Sequence, residues 1–392
     1  NRGIVISDAQ LRVDMQKAVA GKDKVVKQLT GGVATLLKSN GVFVYSGEAR
    51  INPDKTVTAG DVKISAGKVI LAGGSKAAKL NLPGMDSKRV LTSDEILDIG
   101  HVPESIAIIG GGVIGVEMAS IFASFGSSVT VIELMDNVLP MMDNDISNAI
   151  RKTLEKKGIK IFTCTKLERI EETKKGVVLY TNNQPPVEAE FALLSVGRVA
   201  DLSAVEGLEL ELVRDCVKVD DTMKTSIDWI YAPGDINGRK MLAHAAFKMG
   251  GTAAMNALGH NVKIDLSYVP SCVYTSPEVG SVGLTENEAR AKYDISVGMF
   301  PFRANGRALA SGEAEGFVKV ITEKRYGEVL GVHIVGPSAA ELINEAASLM
   351  AMEITANEIA RIIHAHPTYA EAFMEAAADS IGECLHLPPK KH

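Results

Sequence analysis

Cysteine is scarce in this 392-residue chain: there are four, Cys164, Cys216, Cys272 and Cys384, widely dispersed. A secreted disulfide scaffold needs a far higher density, so that class is excluded. Long apolar runs are missing as well, since a charge interrupts every stretch approaching the roughly 18 residues that a membrane span requires. An excess of positive charge is also lacking. With 42 Lys and Arg against 48 Asp and Glu, a formal net charge of -6, no global field would hold a polyanion, which makes nucleic acid a poor candidate partner although a local basic patch stays compatible. No unit of roughly 20–50 residues repeats, which excludes a solenoid, and the only biased tract is the short Pro388-Pro389-Lys390-Lys391 tail. The chain opens Asn1-Arg2-Gly3, without an initiator Met or a charged-then-apolar leader, so the expectation is a sequence that starts partway through a longer protein or has lost a piece.

What is present is apolar and glycine-rich: 46% hydrophobic, 23% charged, 36 Gly. Disorder is thereby excluded, and at roughly 100–200 residues per domain about two to four domains are expected. Leu11, Met15, Val19, Val25, Leu29, Val33 and Leu36 fall at helical spacing and predict one long helix over 7–40, with Gly21 as the place where it would break. Short β-like runs follow, punctuated by Gly and Asn-Pro. From Pro103 the pattern becomes strand (105–109), glycines and helix (110–126), strand (128–132), a βαβ unit that opens a parallel α/β domain. Strand-like runs return at 191–196 and 229–232, and an Ala-rich helix over 242–258 ends at Gly259. The last third, from a boundary near 265–270, reads as an α+β module with two capping boxes, Ser338 with Glu341 and Thr355 with Glu358.

Gly110-Gly111-Gly112-Val113-Ile114-Gly115 lies between a strand and a helix, the context that G-x-G-x-x-G needs to bind a dinucleotide. The glycines let backbone approach a pyrophosphate, whose charge meets the unpaired N–H groups at the start of a helix over Val113–Ser124; the competing reading is a tight turn for packing alone. Glu133 ends the second strand, where an acid bonds the adenosine ribose hydroxyls and repels a 2′-phosphate; with no Arg in Leu134-Met135-Asp136, NAD is expected over NADP. An ordinary solvated strand end is the alternative. Glu117, among apolar neighbours near the helix start, is either held by the helix dipole or contacts a nicotinamide or a lysine. Gly234-Asp235 follows an apolar strand and precedes Met241-Leu242-Ala243-His244 at a helix start. That suits a polyhydroxyl chain and an electron-accepting ring, or simply a turn. In His364-Ala365-His366-Pro367-Thr368-Tyr369-Ala370-Glu371, the residue before Pro should lie outside a helix starting near Thr368. Glu371 could then orient the His366 imidazole as a general acid–base; a capping or core histidine, or a His-x-His metal pair without further ligands nearby, are the alternatives.

These motifs, with Leu194-Ser195-Val196-Gly197-Arg198, occur in an order that closely resembles the flavin disulfide reductases, and among them the branch that oxidises a protein-bound dihydrolipoyl group. The resemblance spans essentially the whole chain. It implies an α/β fold with two Rossmann-like nucleotide-binding domains, the first incomplete: an FAD domain at 1–99 and 200–268, and an NAD domain at 100–199, followed by an α+β dimerisation domain at 269–392. It implies further that Asp235 bonds the flavin ribityl chain, that Met241, Leu242, Ala243 and His244 face the isoalloxazine, and that Gly47 meets the adenosine half, with Gly73, Gly74 and Ser75 also on the flavin. Gly110 through Glu117, Glu133, Leu167 and Gly197 match the NAD site. His366 looks like the acid–base, oriented by Glu371 and acting on the other subunit's flavin, so a homodimer is implied, with a lipoyl domain of a 2-oxo acid dehydrogenase complex as partner and no resident metal. A cytoplasmic location, or a mitochondrial matrix one, suits unpaired cysteines.

Departures from the family pattern are equally informative. Its N-terminal flavin fingerprint and Cys-x4-Cys redox pair are not in this sequence, and are expected upstream of Asn1; a non-catalytic NAD-binding dimeric fragment is the alternative for the polypeptide as it stands. Gly73 stands where the family usually has Thr, and Asp201 follows a stretch where Pro-Asn is common. A glutathione-type reductase would have basic residues after the second NAD strand, and a mercuric type a terminal Cys pair; this sequence has neither.

Overall fold

The computed structural model describes residues 13–388. Asp14 caps a helix over Met15–Ser39, its carboxylate accepting the Lys17 N–H at 3.1 Å. The helix runs unbroken through Gly21, and the expected stretch 7–12 lies outside the described residues. Its apolar spacing does not mark a buried face here, since Val25, Leu29, Val33 and Leu36 are all more than half exposed. Ala49–Ile51, Thr56–Ala59 and Val62–Ser65 then form an antiparallel sheet. Val69–Ile70 pairs in parallel with Ile230–Tyr231, from far along the chain.

The middle of the chain forms a five-stranded parallel sheet in the order Val90–Leu91, Phe191–Leu194, Ser105–Ile109, Ser128–Ile132, Lys160–Phe162. Both faces are covered, as strand alternation requires: Ile106 and Ile108 pack into one core cluster, Ala107 and Ile109 into another. Ser105–Ile109 lies between two strands that come later in the chain, Phe191–Leu194 on one side and Ser128–Ile132 on the other. The order reverses there, and a crevice at such a switch point is where ligands bind in open α/β sheets. An antiparallel ribbon of Ser75–Ala77 with Arg198–Ala200 ties this unit to the preceding one.

The last third is a five-stranded antiparallel sheet ordered Ser271–Val273, Glu278–Gly283, Val329–Gly336, Phe317–Glu323, Ile295–Pro301, packed by helices Ala339–Ala351 and Glu371–Ser380. Val273, Val279 and Val335 of this sheet join Ile106, Phe122 and Val131 of the middle unit in a single apolar cluster.

Two local expectations need correction. The Thr355 capping box forms, with Thr355 N–H on Glu358 and the Glu358 N–H on Thr355 Oγ1. Ser338 makes no such bond, because it adopts a left-handed φ of 56° where a capping residue needs extended backbone. Glu278 accepts the Ala340 N–H instead, at 3.1 Å. The helix expected to start near Thr368 starts at Glu371, because Glu371 Oε2 draws the Thr368 N–H into a preceding turn at 2.8 Å.

Candidate functional site

The fingerprint glycines divide into two roles. Gly110 has φ +104°, and a Cβ there would meet Ser195 O at 2.4 Å; one on Gly115 would lie 1.9 Å from Gly110 O. Close packing thus demands glycine at both. Gly112 is different: a Cβ would meet nothing within 4 Å, and as N-cap of helix Val113–Phe125 it supplies no side-chain acceptor to the first N–H groups. Those donors border a cleft of about 770 Å³ whose lining includes Gly110, Gly112, Val113, Ile114, Glu133, Leu167 and Gly197. An open glycine and an uncapped helix start suit a pyrophosphate. Gly111, Gly115, Val116 and Glu117, also expected at this site, do not line the cleft; Val116 and Gly115 are buried beneath it.

Glu133 is 6% exposed, and each carboxylate oxygen takes one backbone N–H, Oε2 from Gly111 at 2.5 Å and Oε1 from Met135 at 2.7 Å. A carboxylate has about four acceptor positions, so this fixes the group while leaving capacity for ribose hydroxyls. The solvated-strand-end reading is set aside by that burial. Sequence reasoning missed Ser195, whose hydroxyl donates to Ile109 O and Gly110 O at 3.0 and 2.9 Å and so closes the glycine turn. Lys79 and Lys166, exposed at the cleft, carried no signal in the sequence.

Glu117 instead turns toward the C-terminal sheet, where Oε1 accepts the Tyr274 N–H at 2.8 Å. Burial raises its pKa above the ordinary carboxylate value, against the opposing pull of that N–H. An acid whose folded pKa is raised destabilises the fold wherever it is ionised. Glu117→Gln, which can keep the Tyr274 bond, should therefore raise the melting temperature at pH 7. The gain should close as pH falls through the raised pKa, as thermal scans from pH 7 to pH 4 would show.

Around Asp235 the structure builds a second polar group. Asp235 follows Gly234, at φ +82°, and starts a short 3-10 turn. Ser75 Oγ donates to Asp235 Oδ2 at 2.6 Å, and Arg198 donates to Ser75 through Nε on Oγ (2.7 Å) and Nη2 on the carbonyl (2.6 Å). Among the described residues only one Asp235 oxygen is engaged, so the other can accept from a polyol. Gly73 is a cradle: its Cβ would reach Asp201 O at 3.0 Å and Ile236 Cδ1 at 3.2 Å. Helix Ala243–Ala257 begins after Leu242 without a side-chain cap, and His244 Nε2 pairs with Pro270 O at 2.8 Å. Met241 immediately precedes this start. Gly47 stands apart, its backbone against Gly60 at the entry to the antiparallel sheet. Arg198, quoted within a motif but not read as a site residue, is the link the sequence did not reveal.

On the C-terminal unit, His366 Nδ1 lies 2.9 Å from Glu371 Oε1, and the imidazole is 76% exposed. Burial would push the Glu371 carboxyl up, but the Thr368 N–H and His366 outweigh it and hold the group below its ordinary value. An ionised Glu371 keeps the proton on Nδ1 and leaves Nε2 as the basic atom. His364 is engaged elsewhere, with Glu345 Oε1 at 2.8 Å and Ile362 O at 3.0 Å. The two histidines thus serve separate carboxylates rather than converging on one point.

The family model described as pyridine nucleotide-disulphide oxidoreductase matches residues 1–250, and the dimerisation domain of the same family matches 269–377. The chain belongs to this family. Among its relatives, the dihydrolipoyl dehydrogenase of Bacillus subtilis is 38% identical over 395 residues, covering 98% of this chain and 86% of the relative. That of Haloferax volcanii is 39% identical over 392 residues, covering 95% and 82%. Of solved structures, LpdA from Mycobacterium tuberculosis superposes with a TM-score of 0.87 at 28% identity, over 94% of this chain and 83% of that one. The HOCl-induced flavoprotein disulfide reductase RclA from Escherichia coli gives 0.87 at 26% identity, over 94% and 86%. As a member of the pyridine nucleotide-disulphide oxidoreductases, the protein is an oxidoreductase with Rossmann-type nucleotide-binding units and the family's dimerisation domain. Among the described residues no helix is long and apolar enough to cross a membrane.

Proposed function

We propose that the protein acts as a dihydrolipoyl dehydrogenase, oxidising a protein-bound dihydrolipoyl group to the cyclic disulfide with reduction of NAD to NADH. The observation that carries this reading is the His366–Glu371 pair, an imidazole with a carboxylate on one nitrogen and the other open to solvent. A dithiol must lose a proton before it can attack a disulfide, since the thiolate is the nucleophile. His366 Nε2 would accept that proton, and Glu371 would stabilise the imidazolium formed.

FAD, when bound, supplies the two-electron relay between dithiol and nicotinamide. Asp235 and Ser75 would hold its ribityl chain, Gly73 and Gly74 would allow close approach, Gly47 would meet the adenosine half, and the helix start at Met241, Leu242, Ala243 and His244 would face the ring. For NAD, the Gly110–Gly115 turn with Val113 and Ile114 would hold the pyrophosphate, with Val116 packed beneath it, Glu133 the ribose, and Leu167 and Gly197 the walls; Glu117 would serve the site from its helix, holding the Tyr274 N–H. The redox cysteine pair that the reaction also needs is not among Cys164, Cys216, Cys272 and Cys384, which are all free thiols. The reading therefore applies to these residues working with such a pair. It carries a domain scheme of flavin unit (1–99 and 200–268), NAD unit (100–199) and dimer interface (269–392), a homodimer, a lipoyl-domain partner, and a cytoplasmic or matrix setting.

The test is steady-state reduction of NAD by dihydrolipoamide in protein that carries its flavin. Turnover with dihydrolipoamide but not with glutathione is expected. Glu133 further predicts a preference for NAD over NADP of about 100-fold or more in kcat/KM, because a 2′-phosphate would meet its carboxylate. Comparable values for the two cofactors would remove Glu133 from that role.

A further inference from the structure

Lys319 lies in the middle of strand Phe317–Glu323 and is almost completely buried. Its ammonium meets three carboxylates: Asp143 Oδ1 at 2.8 Å, Asp145 Oδ2 at 2.7 Å and Glu286 Oε2 at 2.7 Å. Two of these acids belong to the dinucleotide unit, the third to the same unit as Lys319. Asp143 is itself buried and does more than pair with the lysine. It caps helix Asn144–Lys156, and its Oδ2 accepts the Glu286 N–H at 2.9 Å, so it joins helix starts from two different units. Burial works against the lysine's charge, yet its three partners raise its pKa above the ordinary value. Asp143 is held below its own, burial being outweighed by the Glu286 N–H and by Lys319.

A short relay leads from this knot to the cleft. The Ser147 N–H donates to Asp143 O at 3.0 Å, Ser147 Oγ donates to Leu139 O at 2.9 Å, and the Leu139 N–H donates to Gly111 O at 2.8 Å. Gly111 is thus gripped at both ends, its own N–H being held by Glu133. Pro140 lines both the dinucleotide cleft and a polar cavity of about 400 Å³ that Lys319 borders.

We propose that Lys319 is a positioning residue for dinucleotide binding: by gripping Asp143 from the dimerisation unit, it holds the 137–142 segment against Gly111 and so fixes the glycine turn and Glu133. The inference rests on the reading of this cleft as the NAD site. A buried ammonium removed from between three acids leaves uncompensated charge, so the segment it anchors should loosen first.

The experiment is titration calorimetry of NADH onto the flavin-loaded dimer, with hydrogen exchange of segment 110–116, for wild type, Lys319→Met, Asp143→Asn and the double variant. The NADH Kd should rise about tenfold in Lys319→Met and by a smaller factor in Asp143→Asn, in the range reported for residues that couple sites without touching ligand. The double variant should be no worse than Lys319→Met, since both changes break one link. Exchange at 110–116 should quicken, while the KM for dihydrolipoamide stays within about twofold, a split that general destabilisation would not produce. A folded Lys319→Met dimer with wild-type NADH affinity and wild-type exchange overturns the proposal. Should that variant not fold, Asp143→Asn decides on the same criteria, because asparagine keeps the helix cap. If wild type itself binds no NADH, the reading of the cleft falls, and the hold of Lys319 on the glycine turn stands or falls on the exchange result alone.

Discussion

Replacing His366 with Ala should lower dihydrolipoamide-to-NAD turnover by about 10²- to 10⁴-fold, the range for loss of a positioned general acid–base. Glu371 takes the Nδ1 side of the ring at 2.9 Å and is itself fixed by the Thr368 N–H at 2.8 Å, so Nε2 is the atom left to move a proton. NADH oxidation by an artificial one-electron acceptor does not require the dithiol proton, and should survive the change. Glu371→Gln should fall between the two, since an amide can orient the ring but cannot stabilise an imidazolium by charge. Stopped-flow measurement of the dithiol half-reaction, alongside acceptor-linked NADH oxidation, separates the outcomes. Normal dithiol turnover in His366→Ala would remove His366 from the reaction, and equal loss in both assays would point to the fold instead.

The second large effect is expected at Gly115. A methyl group there would sit 1.9 Å from Gly110 O and 3.0 Å from Ser195 Oγ, so helix Val113–Phe125 could not keep its approach to the strand ends. Overpacking of this kind costs about 1–3 kcal/mol. Shared about equally between the turn and the ligand, that corresponds to a rise in NADH Kd of about twofold to tenfold for Gly115→Ala. Gly112→Ala makes the control, because its Cβ would meet no protein atom within 4 Å. If Gly112 faces a pyrophosphate, this variant should lose NADH affinity with an unchanged melting temperature, whereas Gly115→Ala should lose both. Equal behaviour of the two would mean that the glycines serve packing alone.

The middle unit was legible because its signals are local. A strand, a glycine turn, a helix and a second strand follow within about 30 residues, and Glu133 stands at a definite offset. The His366–Glu371 pair was legible for the same reason, being five residues apart. The relations that escaped the sequence are between residues far apart in the chain. Arg198 reaches Ser75 across an antiparallel ribbon, and Lys319 reaches Asp143 from another unit; neither pairing has a periodicity or spacing that announces it. Glu117 belongs with them. Its place near a helix start was evident, but the Tyr274 N–H that it holds comes from the C-terminal unit. Ser338 shows the opposite limit: the spacing of a capping box was present, and a left-handed backbone at that residue left the box unmade.

The apolar cluster that Val273, Val279 and Val335 share with Ile106, Phe122 and Val131 has a thermodynamic consequence. Neither the dinucleotide unit nor the dimerisation unit can expose its side of this shared cluster without exposing the other's, so the two are coupled in unfolding. Heat or denaturant should dissolve the NAD cleft and the dimer-forming sheet in the same transition. Binding energy gained at either place would then protect both.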